Sequence, residues 1–339
     1  MTWNVLYCSD NNYAPYLGVS IQSLLENNKS AESIVFYVVS DNISDDNIER
    51  LKRQIAKHGD SRRLVLIDGR QWVERMTAMN ILPYRGGHAA NLRLFFIEYV
   101  EKNMERLLYL DCDTLVCGDL SELFEQPLNN STAAVVLDSL SGKEYKTAIG
   151  FDSDDRYFNS GMVLFDVKKW IENDCQQKLI KYMNDPQYNF PNNDQDFLNL
   201  LLKDDKIVVS PKYNFQTTHA VYSNRTYFAS YPSEVYYSNS EIDEARNAPV
   251  ILHAYRFLGQ FPWHKDANHP WRQIFWDYVA KSEWQDLEPR ENQGGIFAVE
   301  RIAFKIIPKG CFLPIFKKIQ VRSFKKRMSL QKKNKEASK

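Results

Sequence analysis

Two acids stand one residue apart at the end of an apolar run: Leu107 to Val116 reads LLYLDCDTLV, with Asp111 and Asp113 on either side of Cys112. In an extended chain residues i and i+2 face the same way, so this spacing predicts that both carboxylates are presented together while Cys112 turns back. Adjacent anions at the rim of a core repel unless a cation or hydrogen-bond donors compensate them. Two hard oxygen donors suit Mg²⁺ or Mn²⁺, and an added imidazole moves the preference toward Mn²⁺. His253, which closes the apolar run PVILH, is a candidate for that third ligand.

The elements that must position these groups read as strands alternating with helices. WNVLYCS (3–9), SIVFYVVS (33–40) and RLVLID (63–68) are expected strands. Between them, APYLGVSIQSLLENN carries Pro15 in its first turn, and DDNIERLKRQIAKHG is capped by Ser44 and closed by Gly59. Further strands are expected at RLLYL, AAVVL (133–137), MVLFD (162–166), KIVVS (206–210) and PVILHAY (249–255), and helices over HAANLRLFFIEYVEKN, NDQDFLNLLLK and WRQIFWDYVAKSEW. A β-α-β-α-β opening implies a mixed, mostly parallel α/β sheet flanked by helices. In such sheets ligands gather at the carboxyl ends of strands, and Asp10, Asp111, Asp138 and His253 each follow an apolar run.

Composition narrows the function classes. Five cysteines, odd in number and without a CxxC, argue against a disulfide framework or a thiolate zinc site and favour a reducing compartment. The start, MTWNVLYCSDNNY, reads as no signal peptide, and no run approaches the ~18 apolar residues of a membrane span, so a cytoplasmic protein is expected. The zero net charge conceals a division, because residues 301–339 hold 13 lysines and arginines against Glu336 alone. That tail mixes cations with Phe, Ile, Leu and Val. Pro308, Gly310 and Pro314 are expected to break its early part, and apolar positions after Ile315 fall into two groups on a helical wheel rather than one stripe. A disordered solubilising tail and an anionic-membrane anchor both suit it. No nucleic-acid recognition module accompanies the charge.

A strand followed by Asp-x-Asp also occurs in phosphatases of the haloacid-dehalogenase type, whose pattern keeps a residue between the second Asp and a Thr. Thr114 follows Asp113 directly, and the acidic run GFDSDD (150–155) reads as a solvated loop. The order of motifs points elsewhere. YCSDNNYAPYLGVSIQSLLENN, NLRLFFIEYV, LLYLDCDTLVCGDLSELF, YFNSGMVLFDVKKW, NNDQDFLNLLL and HAYRFLGQFPWH together resemble the retaining glycosyltransferases of family 8, a group that includes lipopolysaccharide galactosyl- and glucosyltransferases and glycogenin.

Residues 266–339 read, from their own pattern and charge, as a helical segment and a basic membrane-associating tail; the resemblance implies a GT-A fold over the preceding residues 1–265. It implies a UDP-glucose or UDP-galactose donor, a glycan or glycolipid acceptor and a divalent metal, Mn²⁺ or Mg²⁺. Asp111, Asp113 and His253 match the metal ligands. Asp10 and Asn12 match contacts to uracil and ribose, and Tyr13 matches the aromatic that stacks on uracil. Cys8 and Cys112 fall inside the matched nucleotide-sugar motifs. Arg93, Asn159 and Gly161 match donor-sugar contacts, while Asp138, Asp194 and Gln195 match the polar cluster around the transferred sugar. Retention without a good nucleophile at Gln195 implies front-face substitution, with Gln195 and Asp194 steadying positive charge. The pattern departs after His253, where the family has a lysine just before Pro-Trp and this chain has Phe261. Arg256 and Lys265 are the nearby cations, and Gly259 is a candidate backbone donor. With that lysine absent, a UDP-sugar-binding protein without turnover stays open beside the enzyme. For the enzyme, the expected location is the cytosolic face of a bacterial inner membrane, as a peripheral protein.

Overall fold

The computed structural model describes all residues except 82, 84–86, 186, 189, 338 and 339. Among the described residues the strands are β1 (Thr2–Asp10), β2 (Ser33–Asp41), β3 (Arg62–Asp68), β4 (Arg106–Leu110), β5 (Thr114–Val116), β6 (Ala133–Leu137), β7 (Phe158–Asp166), β8 (Lys206–Val208), β9 (Phe215–Gln216) and β10 (Ile251–His253). Seven make the main sheet, in the order β3-β2-β1-β4-β7-β6-β8. All its neighbours are parallel except β7, which runs against both β4 and β6. The central strands alternate between two cores: Leu6, Tyr109, Val135 and Val163 enter one, and Val5, Leu108, Val136 and Leu164 the other. Both faces are covered, so these strands are apolar throughout, as expected for a sheet clothed by helices on each side. Helices α1 (Ala14–Asn27) and α2 (Asp45–Ala56) form where expected, with Pro15 in the first turn of one and the Ser44 hydroxyl accepting from Asn47 N in the other.

A second sheet, β5-β10-β9, pairs β10 antiparallel to β5 and parallel to β9. Its register sets His253 opposite Thr114, and Ala254 N donates to Asp113 O at 2.8 Å. This pairing brings a histidine from late in the chain to the Asp-x-Asp stretch. Only the β10 part of it was expected, from the longer apolar run PVILHAY in which it lies.

Three expectations need correction. Asp111 to Thr114 is a turn rather than extended chain: Thr114 N and Oγ1 both donate to Asp111 O, at 3.1 and 2.8 Å. The carboxylates therefore converge by a reversal between the two sheets, not by strand alternation. The segment Ala89–Glu98 winds as a 3₁₀ helix, not an α-helix, and residues 91–97 are all buried, so it has no solvated face. Finally, of the three residues expected to break the early tail only Pro308 does, separating helices Ile296–Ile306 and Lys309–Ala337, while Gly310 and Pro314 lie inside the second. Pro314 is the sixth residue of that helix and lacks the N–H that would pair with Gly310 O.

Candidate active site

The opening residues of β7 organise the site. β6 and β7 lose register between Val135, opposite Val163, and Val136, opposite Asn159. This bulge leaves the backbone of Ser160 and Gly161 unpaired with β6, so their N–H groups reach side chains. Ser160 N donates to Gln195 Oε1 at 3.1 Å, and Gly161 N donates to Asn159 Oδ1 at 3.0 Å. Gly161 O accepts from Asp111 N at 2.9 Å, which ties the turn to the same strand.

From Gly161 a chain of fixed polarity runs outward. A backbone N–H only donates, so Asn159 Oδ1 is the end that faces Gly161, and it also accepts from Asn214 Nδ2 at 2.9 Å. Asn159 Nδ2 then donates to Asp138 Oδ2 at 3.0 Å, while Asn214 Oδ1 faces His253 Nδ1 at 2.9 Å. His253 Nδ1 therefore carries a proton, and Nε2 is directed at Asp113 Oδ1 (3.3 Å) and Asp111 Oδ2 (3.6 Å). Burial pulls the imidazole pKa down, but Asp113 and then Asp111 outweigh it, and the net direction is up.

One ligand atom from each of Asp111, Asp113 and His253 lies within 4.8 Å of the others. Two carboxylates and an imidazole whose outer nitrogen is already hydrogen-bonded fit a divalent cation. Gly161 keeps the space open: a Cβ there would lie 2.2 Å from His253 Cε1 and 2.9 Å from Asp111 Oδ2.

Arg93, 2% exposed, is the positive centre of this cluster. Its guanidinium donates to Asp111 Oδ1 (2.7 Å), Ser160 O (2.6 Å) and Ala90 O (2.8 Å), pairs with Asp194 Oδ2 at 3.3 Å, and lies 4.0 Å over the Tyr109 ring. Tyr109 Oη also donates to Asp111 Oδ1, at 2.7 Å. Asp194 and Gln195 stand in the first turn of the helix Asn193–Leu201, and both reach Ser160, the former through Ser160 Oγ at 3.3 Å. Burial raises the Asp194 pKa; Arg93 opposes the rise.

Asp138 is held at the end of β6, its Oδ1 accepting from Leu140 N and Ser141 N at 2.8 and 2.7 Å. Asp10, Asn12 and Tyr13 lie apart from this cluster, at the turn from β1 to α1. Asp10 Oδ1 accepts from Tyr13 N (2.9 Å), Asn12 O accepts from Arg290 Nη2 (2.8 Å), and Tyr13 stands edge-on to Tyr16 and Trp263. Cys112 Sγ donates to Cys8 O at 3.4 Å, joining the end of β1 to the Asp-x-Asp turn. Burial pushes the Cys8 thiol up to about 12 and the Cys112 thiol up as well, so both thiols are neutral.

Gly259 occupies a tight turn at φ +76°, where Phe257 and Gln260 bond to each other across it, and a Cβ would meet the Phe297 ring at 2.5 Å. Arg256 lies 4.8 Å over Phe297, and Lys265 is exposed beside Glu291. Sequence reasoning missed Tyr157, Ser160 and Asn214. The first two flank Phe158 and Asn159 in the quoted YFNSG, whereas Asn214 sits in KYNF without any pattern to mark it.

The profile of the family described as glycosyl transferase family 8 matches residues 4–267. General stress protein A of Bacillus subtilis is 28% identical over 295 residues, spanning 86% of this chain and 98% of that protein. A lipopolysaccharide 1,2-glucosyltransferase of Escherichia coli K12 is 29% identical over 293 residues, spanning 85% and 80%. Among solved structures, the galactosyltransferase LgtC, in complex with donor and acceptor sugar analogues, superposes with a TM-score of 0.68 at 24% identity, covering 84% of this chain and 99% of its own. The sheet order and its flanking helices are thus those of a GT-A fold. With the family's profile running from β1 past His253 and through every residue of the β7 cluster, the chain belongs to glycosyl transferase family 8 and is a hexosyl-transferring enzyme.

Proposed function

We propose that the protein is a metal-dependent, retaining transferase that moves glucose or galactose from a UDP-sugar to a glycan acceptor, with lipopolysaccharide or a related cell-surface glycolipid as the favoured class. The observation that carries this reading is the convergence of Asp111, Asp113 and His253 on the space kept by Gly161. Those three residues would hold Mn²⁺ or Mg²⁺, which when bound supplies Lewis-acid stabilisation for a leaving diphosphate. Arg93 fixes Asp111 and Asp194, so the anionic floor does not collapse or repel itself apart. Asp10, Asn12 and Tyr13 form the nucleoside end, and Asn159 with Asp138 the sugar end. Gln195, half-exposed where its neighbours Asp194 and Asp196 are buried, presents a neutral amide to the reacting carbon. An amide is a poor nucleophile, so Gln195 and Asp194 steady an oxocarbenium-like carbon during front-face transfer.

The tail supports work at a membrane. Ile296, Val299, Ile302 and Ile306 are 59–75% exposed on one side of their helix, and Ile315 and Ile319 are exposed on the next. Lys305, Lys309, Lys318, Arg322, Lys325, Lys326 and Arg327 lie among and beyond them. Such a surface suits an anionic bilayer, each cation contributing about 1 kcal/mol near it. No helix among the described residues is long and apolar enough to cross a membrane. A peripheral position on the cytosolic face of the inner membrane follows from this reading.

The direct test is UDP release from a panel of sugar nucleotides, with Mn²⁺ and after its removal. Release from UDP-glucose or UDP-galactose that needs the metal is the expected result. Release from neither, or release indifferent to metal, contradicts the proposal.

A further inference from the structure

Asp196 has no place in the chemistry above, yet it is fully buried two residues from Asp194, and no cation pairs with it among the described residues. Its carboxylate accepts from Tyr145 Oη at 2.8 and 2.9 Å, Tyr157 Oη at 2.5 Å and Asn192 N at 2.8 Å. Ionised, as it is above a pKa of about 7, the carboxylate only accepts, so the Tyr157 hydroxyl proton is committed to it. The Tyr157 oxygen is thereby left to accept from Gln195 Nε2, at 3.2 Å.

At the other end of that amide, Ser160 N can only donate, and it holds Gln195 Oε1. A flipped amide would set N–H against N–H at Ser160. It would also set oxygen against oxygen at Tyr157, unless the hydroxyl turned its proton away from Asp196. A free tyrosine hydroxyl accommodates either orientation; Asp196 removes that freedom.

We propose that Asp196, acting through Tyr157, is a positioning residue that sets which end of the Gln195 amide faces the transferred sugar. The inference rests on the proposed function in placing Gln195 at the reacting carbon. Tyr145 provides an internal control. It donates to the same carboxylate and is equally enclosed, between Tyr157 and Phe324 of the C-terminal helix, with ring centroids 5.7 and 5.0 Å away. Its oxygen accepts from Asn192 Nδ2 at 2.7 Å rather than from Gln195.

The test compares Tyr157→Phe with Tyr145→Phe, each of which deletes one hydroxyl donor to Asp196. The relay predicts that Tyr157→Phe lowers kcat about tenfold with donor KM within about twofold, while Tyr145→Phe lowers kcat less than about twofold, since misorientation acts on the reacting geometry. Asp196→Asn should follow Tyr157→Phe, because an amide N–H in that place can turn the tyrosine proton back toward Gln195. Equal losses in the two tyrosine variants, or no loss in either, would overturn the relay.

A second readout needs no turnover. In protein labelled with ¹⁵N-glutamine, the Gln195 side-chain amide should exchange slowly in the wild type and in Tyr145→Phe, and faster in Tyr157→Phe. Identical exchange in all three would also overturn the relay. A wild-type enzyme inactive with every sugar nucleotide would count against the functional reading, and the exchange measurement would still decide this one.

Discussion

Asp111 and Asp194 share the Arg93 guanidinium, at 2.7 and 3.3 Å, whereas Asp196, in the same helical turn as Asp194, is held by two tyrosine hydroxyls and a backbone N–H. The first pair is bridged by a buried cation, and Asp111 still turns an oxygen toward the space it shares with Asp113 and His253. The second is surrounded by neutral donors, so burial dominates and its pKa rises to about 7. Charge compensation serves a site that receives charge. Neutral donors serve a site that fixes direction.

Substitutions should separate the two. Asp113→Asn takes a ligand oxygen from the cation site and should cost about 3 kcal/mol or more of transition-state stabilisation, a hundredfold or greater loss in kcat/KM, with the fold retained by circular dichroism. Arg93→Met should act on folding as well as activity. It strands Asp111 and Asp194 beside each other, and loss of about 3–5 kcal/mol in a urea titration is expected.

Asp196→Asn should change the pH dependence of stability as well as kcat. The folded state keeps a proton on Asp196 up to about 7, while the unfolded chain loses it near the ordinary aspartate value of 3.8. The folded state therefore binds more protons between these values, and this group's contribution to stability is full below pH 4 and is lost as pH rises through 7. The variant should remove a decline on the order of 2–4 kcal/mol between pH 4 and 8.

The smallest effect on the fold belongs to the tail. Ile302→Ser with Ile306→Ser should move stability by less than about 0.5 kcal/mol per site, because both side chains are exposed. The same pair should reduce partitioning onto anionic vesicles about tenfold or more, read by sedimentation. Unchanged partitioning would remove the apolar face from the membrane account.

Much of the main sheet was legible because its strands are apolar runs that stop at polar residues, and Asp111, Asp138 and His253 were marked by that stop. Legibility failed where position depends on distant chain. The small sheet's β5 and β9 are two or three residues long and exist only because β10 lies between them. Asn214 sets the His253 tautomer from a segment with no periodic signature. The Ala89–Glu98 segment kept its site arginine but not its helix type, since enclosure on all sides rather than amphipathicity shapes it. In the tail, the two groups on the helical wheel correspond to two surroundings: Phe324 is buried, with Val321 and Met328 packed against the same core, while Ile315 and Ile319 are exposed.

The central claim is that Asp111, Asp113 and His253 form a cation site that serves a UDP-sugar. Its most direct measurement is Mn²⁺ binding by electron paramagnetic resonance, with and without UDP, in the wild type and in Asp113→Asn. The account predicts one saturable site in the wild type that tightens when UDP is added and is lost in the variant. Equal Mn²⁺ binding by both proteins, or wild-type binding indifferent to UDP, would contradict it.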